Sequence, residues 1–137
     1  MKALNIVMFW FWLLLSSALS ADFDQNMKDF ALLDHTGKFH QLSYYGDQRG
    51  VVLYSHGVKY SGANSDIERF EKIQSEYRDD QFAFFMINAL SQDSRDSIAD
   101  QIKNKGASVA VLVDETQIVS RDLSISRLGE ALIIDAS

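Results

Sequence analysis

The sequence predicts one α/β domain with mostly parallel central strands. Three observations lead there. Unbroken apolar runs recur as VVLYS (51–55), FAFFMI (82–87) and VAVLV (109–113), the pattern of strands covered on both faces. Segments of helical periodicity separate these runs. Strands joined by helical crossovers run parallel, and a chain of 137 residues suits a single domain.

The elements follow in order. FALL (30–33) and FHQLS (39–43) flank the turn-forming DHTGK (34–38), so this stretch reads as a β-hairpin. A polar loop leads to VVLYS, the first central strand. The loop from His56 to Ala63 comes next. Ile67, Phe70, Ile73 and Tyr77 then recur at three- and four-residue spacing, the stripe of an amphipathic helix. Ser65 and Glu68 have capping-box spacing, although a start nearer Ser61 fits as well. FAFFMI is the next buried strand, with Phe82, Phe84 and Phe85 as core residues. Ile98 and Ile102 share a helix face; Lys103 and Lys105 suit the end of that helix, and Gly106 the position beyond it. VAVLV is a third central strand, 116–123 a short helix, and ALIID (131–135) the last strand.

The first twenty residues stand apart. MKALNIVMFWFWLLLSSALS has one cation, Lys2, then a roughly 13-residue apolar core and small residues, the layout of a secretory signal peptide. Cleavage is expected before Ala21, leaving 21–137 as the domain. The alternative, a retained anchor, has an apolar core shorter than the ~20 residues of a membrane span. The expected location is periplasmic or extracellular. The net charge of −6 becomes more negative once Lys2 is removed, which argues against nucleic acid and anionic membrane surfaces as partners. There is no cysteine and no proline. An exported domain of this kind has no disulfide and no thiol chemistry.

The order of elements resembles the thioredoxin fold. "FALLDHTGKFHQLS", "VVLYSHG", "FFMINALSQDSRDSI", "VLVDETQIVSRDLSI" and "RLGEALIID" resemble successive segments of redoxin domains. These are the peroxiredoxin-type branch (alkyl hydroperoxide reductase/thiol-specific antioxidant) of the thioredoxin-like superfamily. The resemblance implies a redox cysteine where the first central strand meets the first helix, because a helix N-terminus lowers a thiol pKa. By that resemblance the cysteine position is Tyr60, the second cysteine position Ala63, the threonine position Gly57 and the cis-proline position Gly129. None matches the family residue. A non-proline cis bond costs about 3 kcal/mol, so a trans peptide is expected at Gly129. The family fold also continues beyond the last strand with a further hairpin strand and a helix, so the resemblance implies a domain incomplete at its C-terminus.

Other residues at and around the same junction carry weaker signals. The Tyr60 phenol can donate a hydrogen bond but cannot act as a peroxide nucleophile. His56 is a general base only if a nucleophile such as Ser61 faces it, and no acid stands at a telling spacing. His35 and His40 sit in the hairpin without metal-ligand spacing, and no metal or cofactor is expected. Asp93, Asp96, Asp114 and Glu115 flank helices and turns, where capping and turn duty explains them. "GVKYSG" lacks the lysine–hydroxyl ending of a phosphate loop.

The reading is an exported, redox-inactive redoxin-family domain that binds, if anything, a peptide or protein segment in the groove beside the old redox site. The alternatives are the family's thiol peroxidase or oxidoreductase activity, and a non-functional fragment of a larger protein. Self-association through an exposed edge at 131–135 is a further expectation.

Overall fold

The computed structural model describes residues 28–135; the leader expected over 1–20 lies outside them. Among the described residues, no helix is long and apolar enough to cross a membrane. The hairpin forms as β1 (Ala31–Leu33) and β2 (Phe39–Gln41), antiparallel, with Leu32 opposite His40. A short 3-10 turn, Leu42–Tyr45, leads to β3 (Gly50–Ser55), α1 (Ala63–Glu76), β4 (Phe82–Asn88) and α2 (Arg95–Asn104). Then come β5 (Val111–Val113), α3 (Ile118–Asp122) and β6 (Ala131–Asp135).

The main sheet has the order β5-β4-β3-β6. β3 and β4 run parallel, as do β4 and β5, whereas β6 returns antiparallel to β3. The run at 109–113 therefore supplies a three-residue strand at the sheet border and not a central one. Its apolar character reflects burial on both faces: Val111, Leu112 and Val113 are all buried.

Strand alternation assigns the two faces. Phe84, Met86, Val111 and Val113 point to the side where α1 and α2 place Ile67, Phe70, Ile98 and Ile102. Val51, Leu53, Phe85, Ile87, Leu112 and Ile134 point to the other side, under α3 and the hairpin segment, which add Val119, Leu32 and Tyr45. The period of two makes this division unavoidable once the register is set. Gly50 permits the close approach of three strands, because a Cβ there would lie 2.7 Å from the Ile134 carbonyl oxygen and 3.1 Å from the Phe82 ring.

Three helix expectations need correction. α1 starts at Ala63 after Gly62, and Ser65 lies inside its first turn, where its hydroxyl donates back to the Gly62 carbonyl at 3.0 Å. The capping box does not form, because Ser65 is already helical and has no N-cap geometry. Ile67 and Phe70 are buried as expected, but Ile73 is 46% and Tyr77 46% exposed, while Glu71 and Gln74 are the half-buried positions of that half of α1. α2 is capped by Ser94, whose Oγ accepts from the Ser97 N–H at 3.1 Å. That leaves Asp93 for a different role.

Candidate functional site

The carboxyl ends of β3 and β4 meet the N-terminal end of α1. His56 continues β3 and is held by its N–H to the Ile87 carbonyl at 2.9 Å. Gly57 turns the chain here, and a Cβ on it would come within 2.6 Å of Leu90 and 3.1 Å of Leu128. Asp93 fixes the loop: its Oδ2 accepts from the Val58 N–H at 2.8 Å and from Asn88 Nδ2 at 2.8 Å. Asp93 thus ties the junction loop to the end of β4 and does not cap α2. It is 6% exposed, and a carboxylate buried there needs these donors.

His56 is 1% exposed, and its Nε2 lies 2.8 Å from Gln101 Oε1. The Gln101 amide nitrogen donates to the Val58 carbonyl and to Asn64 Oδ1. Its oxygen therefore faces the imidazole, and the assignment that follows puts the His56 proton on Nε2. Burial holds His56 below the ordinary imidazole range, against a weaker upward pull from Gln101 and from the carboxylates of Asp93 and Asp66. The ring is a neutral strut between β3 and α2. No hydrogen bond joins it to Ser61, so the base–nucleophile pair that the sequence raised is absent among the described residues. His56 Nδ1 is buried without a partner.

Tyr60 is 37% exposed. Its carbonyl accepts from the Ala63 N–H at 3.0 Å, and its ring lies against Gly62. The Tyr60 hydroxyl reaches within 3.6 Å of where a Gly129 Cβ would sit, and the Tyr54 hydroxyl within 3.4 Å. Gly129 has φ +80°, the left-handed region that suits glycine. Its N–H donates to the Ser55 carbonyl at 2.9 Å, and the Ser55 N–H donates to Glu130 at 2.9 Å. No cis peptide bond occurs among the described residues. Burial and the Asp66 carboxylate push the Tyr54 phenol up to about 12. Tyr54 therefore stays a proton donor throughout the physiological range. Two phenols, a glycine loop and the start of α1 can donate hydrogen bonds, and a phenol does not replace a thiolate as the nucleophile toward a peroxide.

The remaining candidates separate from this junction. His40 Nε2 lies 2.8 Å from Asp34 Oδ2, and His40 Nδ1 lies 2.7 Å from the Tyr45 hydroxyl. Asp34 Oδ1 also accepts from the Thr36 N–H, the Thr36 hydroxyl and the Lys38 N–H. Burial pulls the Asp34 carboxyl upward, but the hydrogen bonds from Thr36, His40 and Lys38 outweigh it and bring it to about 2. His35 docks the hairpin on β5, with its N–H on the Val111 carbonyl and its Nδ1 accepting from the Val111 N–H. Asp114 is fully buried and accepts from the Ser120 N–H at 2.7 Å. Asp96 and Glu115 are exposed. No group of three His, Asp or Glu among the described residues is placed to hold a metal ion.

Sequence reasoning missed the Asp34–His40–Tyr45 network and the loop-tying role of Asp93. The first had a visible signal, since a carboxylate, an imidazole and a phenol share one short hairpin segment.

The model of the AhpC/TSA family matches residues 23–136. This chain belongs to the AhpC/TSA family. Its fold is thioredoxin-like, as solved structures show. A hypothetical protein of Sinorhizobium meliloti superposes with TM-score 0.70 at 18% identity, over 80% of this chain and 63% of that one. Against that protein, the AhpC/TSA chain described here spans less than two thirds of the length. Peroxidoxin BcpB of Mycobacterium tuberculosis gives TM-score 0.67 at 20% identity, over 80% of this chain and 76% of that one. A secreted disulfide oxidoreductase of M. tuberculosis, homologous to E. coli DsbE, gives 0.66 at 10% identity, over 78% and 76%. No match was found among curated proteins. This AhpC/TSA chain contains no cysteine.

Proposed function

We propose that this protein is an exported, redox-inactive AhpC/TSA-family domain that binds a peptide or protein segment beside Tyr60 and Gly129. One observation carries the reading: where β3 hands over to α1, the chain presents the Tyr60 phenol, and no cysteine exists elsewhere to replace it. In this proposal Tyr60, Ala63, Gly57 and Gly129 stand where the family carries its two cysteines, its threonine and its cis-proline. The fold that lowers a thiol pKa is retained while the thiol is not. Export is supported by the leader-like N-terminal sequence and by the likeness to a secreted disulfide oxidoreductase.

The test has two arms. The natural chain is expected to consume no peroxide with a thiol donor and to leave insulin disulfides intact; a rate above blank sinks the proposal. Tyr60→Cys is expected to yield a thiol whose pKa, from the pH dependence of iodoacetamide alkylation, falls below the free value of about 8.5. An unshifted or raised value removes Tyr60 from the cysteine position. Peroxidase activity need not return, because Gly57 and Gly129 also differ from the family pattern.

Self-association is a second part of the proposal. Among the described residues β6 has one strand neighbour, β3, and Ile133 is 57% exposed. Open edges without proline or lysine invite further pairing. Light scattering after size exclusion is expected to show mass rising with concentration; a constant monomer mass overturns this part alone.

A further inference from the structure

We infer that Tyr45 is a one-electron donor site, at which an oxidant that accepts an electron and transfers no atom oxidises the phenol while its proton moves to His40. The inference goes beyond the reading at Tyr60, which concerns two-electron exchange of a thiol with peroxides and disulfides. Tyr45 lies on the other face of the sheet, packed on the cluster that holds Leu53 and Phe85. Its hydroxyl is 2.7 Å from His40 Nδ1, and His40 Nε2 is 2.8 Å from Asp34 Oδ2. Asp34, at about 2, is an ionised carboxylate and can only accept. The proton of the neutral ring is therefore on Nε2, and Nδ1 accepts from the Tyr45 hydroxyl.

Three observations carry the inference. The first is the proton's destination. A phenol that loses an electron becomes a strong acid, and water is a poor base for its proton. Here an imidazole already holds that proton in a hydrogen bond. The phenol O–H bond breaks, an N–H bond forms on Nδ1, and the oxidant is reduced by one electron. The products are a neutral phenoxyl and an imidazolium, and return of one electron sends the proton back. The second observation is charge. Before the step the buried trio carries the single negative charge of Asp34; afterwards imidazolium and carboxylate sum to zero. Asp34 and His40 are 4% and 5% exposed, so the step turns a lone buried charge into a pair. The Thr36 and Lys38 donors hold the carboxylate in place meanwhile. The third is access. The Tyr45 ring is half-buried, so an oxidant can touch it while the hydroxyl stays on His40. Burial and the Asp34 carboxylate push the Tyr45 phenol up, so it keeps its proton until the electron leaves. His35 and His56 bond to Val111 and Gln101, so no other phenol among the described residues has an imidazole partner. Tyr54 has the Asp66 carboxylate instead, a weaker base than imidazole.

The test is flash oxidation of the full-length chain by photogenerated ruthenium(III) tris-bipyridine, at about pH 8, above the ordinary imidazole range. Every arm carries Trp10→Phe and Trp12→Phe, so that no indole competes for the oxidant. The phenoxyl is followed by its transient absorption and by electron paramagnetic resonance with ring-deuterated tyrosine. The folded chain is expected to form the radical at least ~10-fold faster than Tyr45→Phe, the gain from a positioned base. The rate is expected to be slower in heavy water and independent of buffer concentration, since the base is internal. His40→Gln keeps a hydrogen-bond partner but no base, and is expected to lose the same ~10-fold. The chain unfolded in urea needs no variant to fold. There every phenol is open to the oxidant but none has its imidazole, and the rate is expected to fall although exposure rises. An unchanged rate and signal in Tyr45→Phe, a folded His40→Gln that matches the natural chain, or an unfolded chain as fast as the folded one overturns the inference. None of these results bears on the peroxide and insulin assays or on Tyr60→Cys, so failure here is distinct from failure of the reading at Tyr60.

Discussion

Asp34→Ala is expected to destabilise the domain by about 3–4 kcal/mol, a large share of a domain's usual stability. The change removes one carboxylate and strands four partners: His40 Nε2, the Thr36 hydroxyl and the Thr36 and Lys38 N–H groups. Asp34 and His40 are 4% and 5% exposed, so water does not replace the lost contacts freely. The pH dependence carries a defined sign. The folded carboxyl sits at about 2, below its ordinary value of 3.8. A lowered folded pKa gives stability that is present above the unfolded value and lost as the pH falls through the folded one. The stability gap between the natural chain and Asp34→Asn is therefore expected to be full above about pH 4 and to close toward pH 2. Urea denaturation at several pH values reads both effects. A gap that stays constant down to pH 2, or a loss under ~1 kcal/mol for the alanine variant, shows that the network does not hold the hairpin.

Leu53→Ala is expected to cost a further-reaching 3–4 kcal/mol or so, within the range for buried leucines. Leu53 is fully buried in the middle of β3, opposite Phe85 of β4 and Leu132 of β6. Its side chain projects from the sheet toward α3 and the hairpin segment, so its loss opens a cavity between the sheet and that layer. The denaturation midpoint is expected to fall while the slope stays constant, the sign of a stability change without a change in the surface exposed. A midpoint shift worth less than ~1 kcal/mol contradicts the central place of β3 in the sheet.

The elements were legible where the signal is local. VVLYS, FAFFMI, the Ile98–Ile102 face and the hairpin around DHTGK each carry their own period or turn chemistry, and β3, β4, α2 and the β1–β2 pair form where those signals lie. What failed to show was set by distance. Ile73 and Tyr77 continue the α1 stripe, but spacing alone does not say which part of a stripe the rest of the chain covers. VAVLV reads as central because burial looks the same at the border of a sheet when both faces are covered. Asp93 sits where an N-cap belongs, yet its partner is the Val58 N–H, 35 residues earlier. That the chain has no cysteine, by contrast, is read from the sequence alone.

The docking of the hairpin on β5 sets an order of assembly. His35 and Val111 exchange hydrogen bonds across 76 residues of chain, and Asp34 bridges to Leu112 beside them. Closing a loop of that length is entropically costly, and non-local pairing is slow to form. The β3–α1–β4 unit closes a much shorter loop and offers its own core. As the chain leaves the ribosome, the hairpin is therefore made early but seated late, after β5 has emerged and paired with β4. Until then the His40 ring can rest on Phe85 of β4, 4.9 Å away between centroids, but the hairpin lacks its hydrogen bonds to β5. The hairpin, first element among the described residues, acts as the clasp on β5, and it also closes the β5 border of the sheet against stray strands.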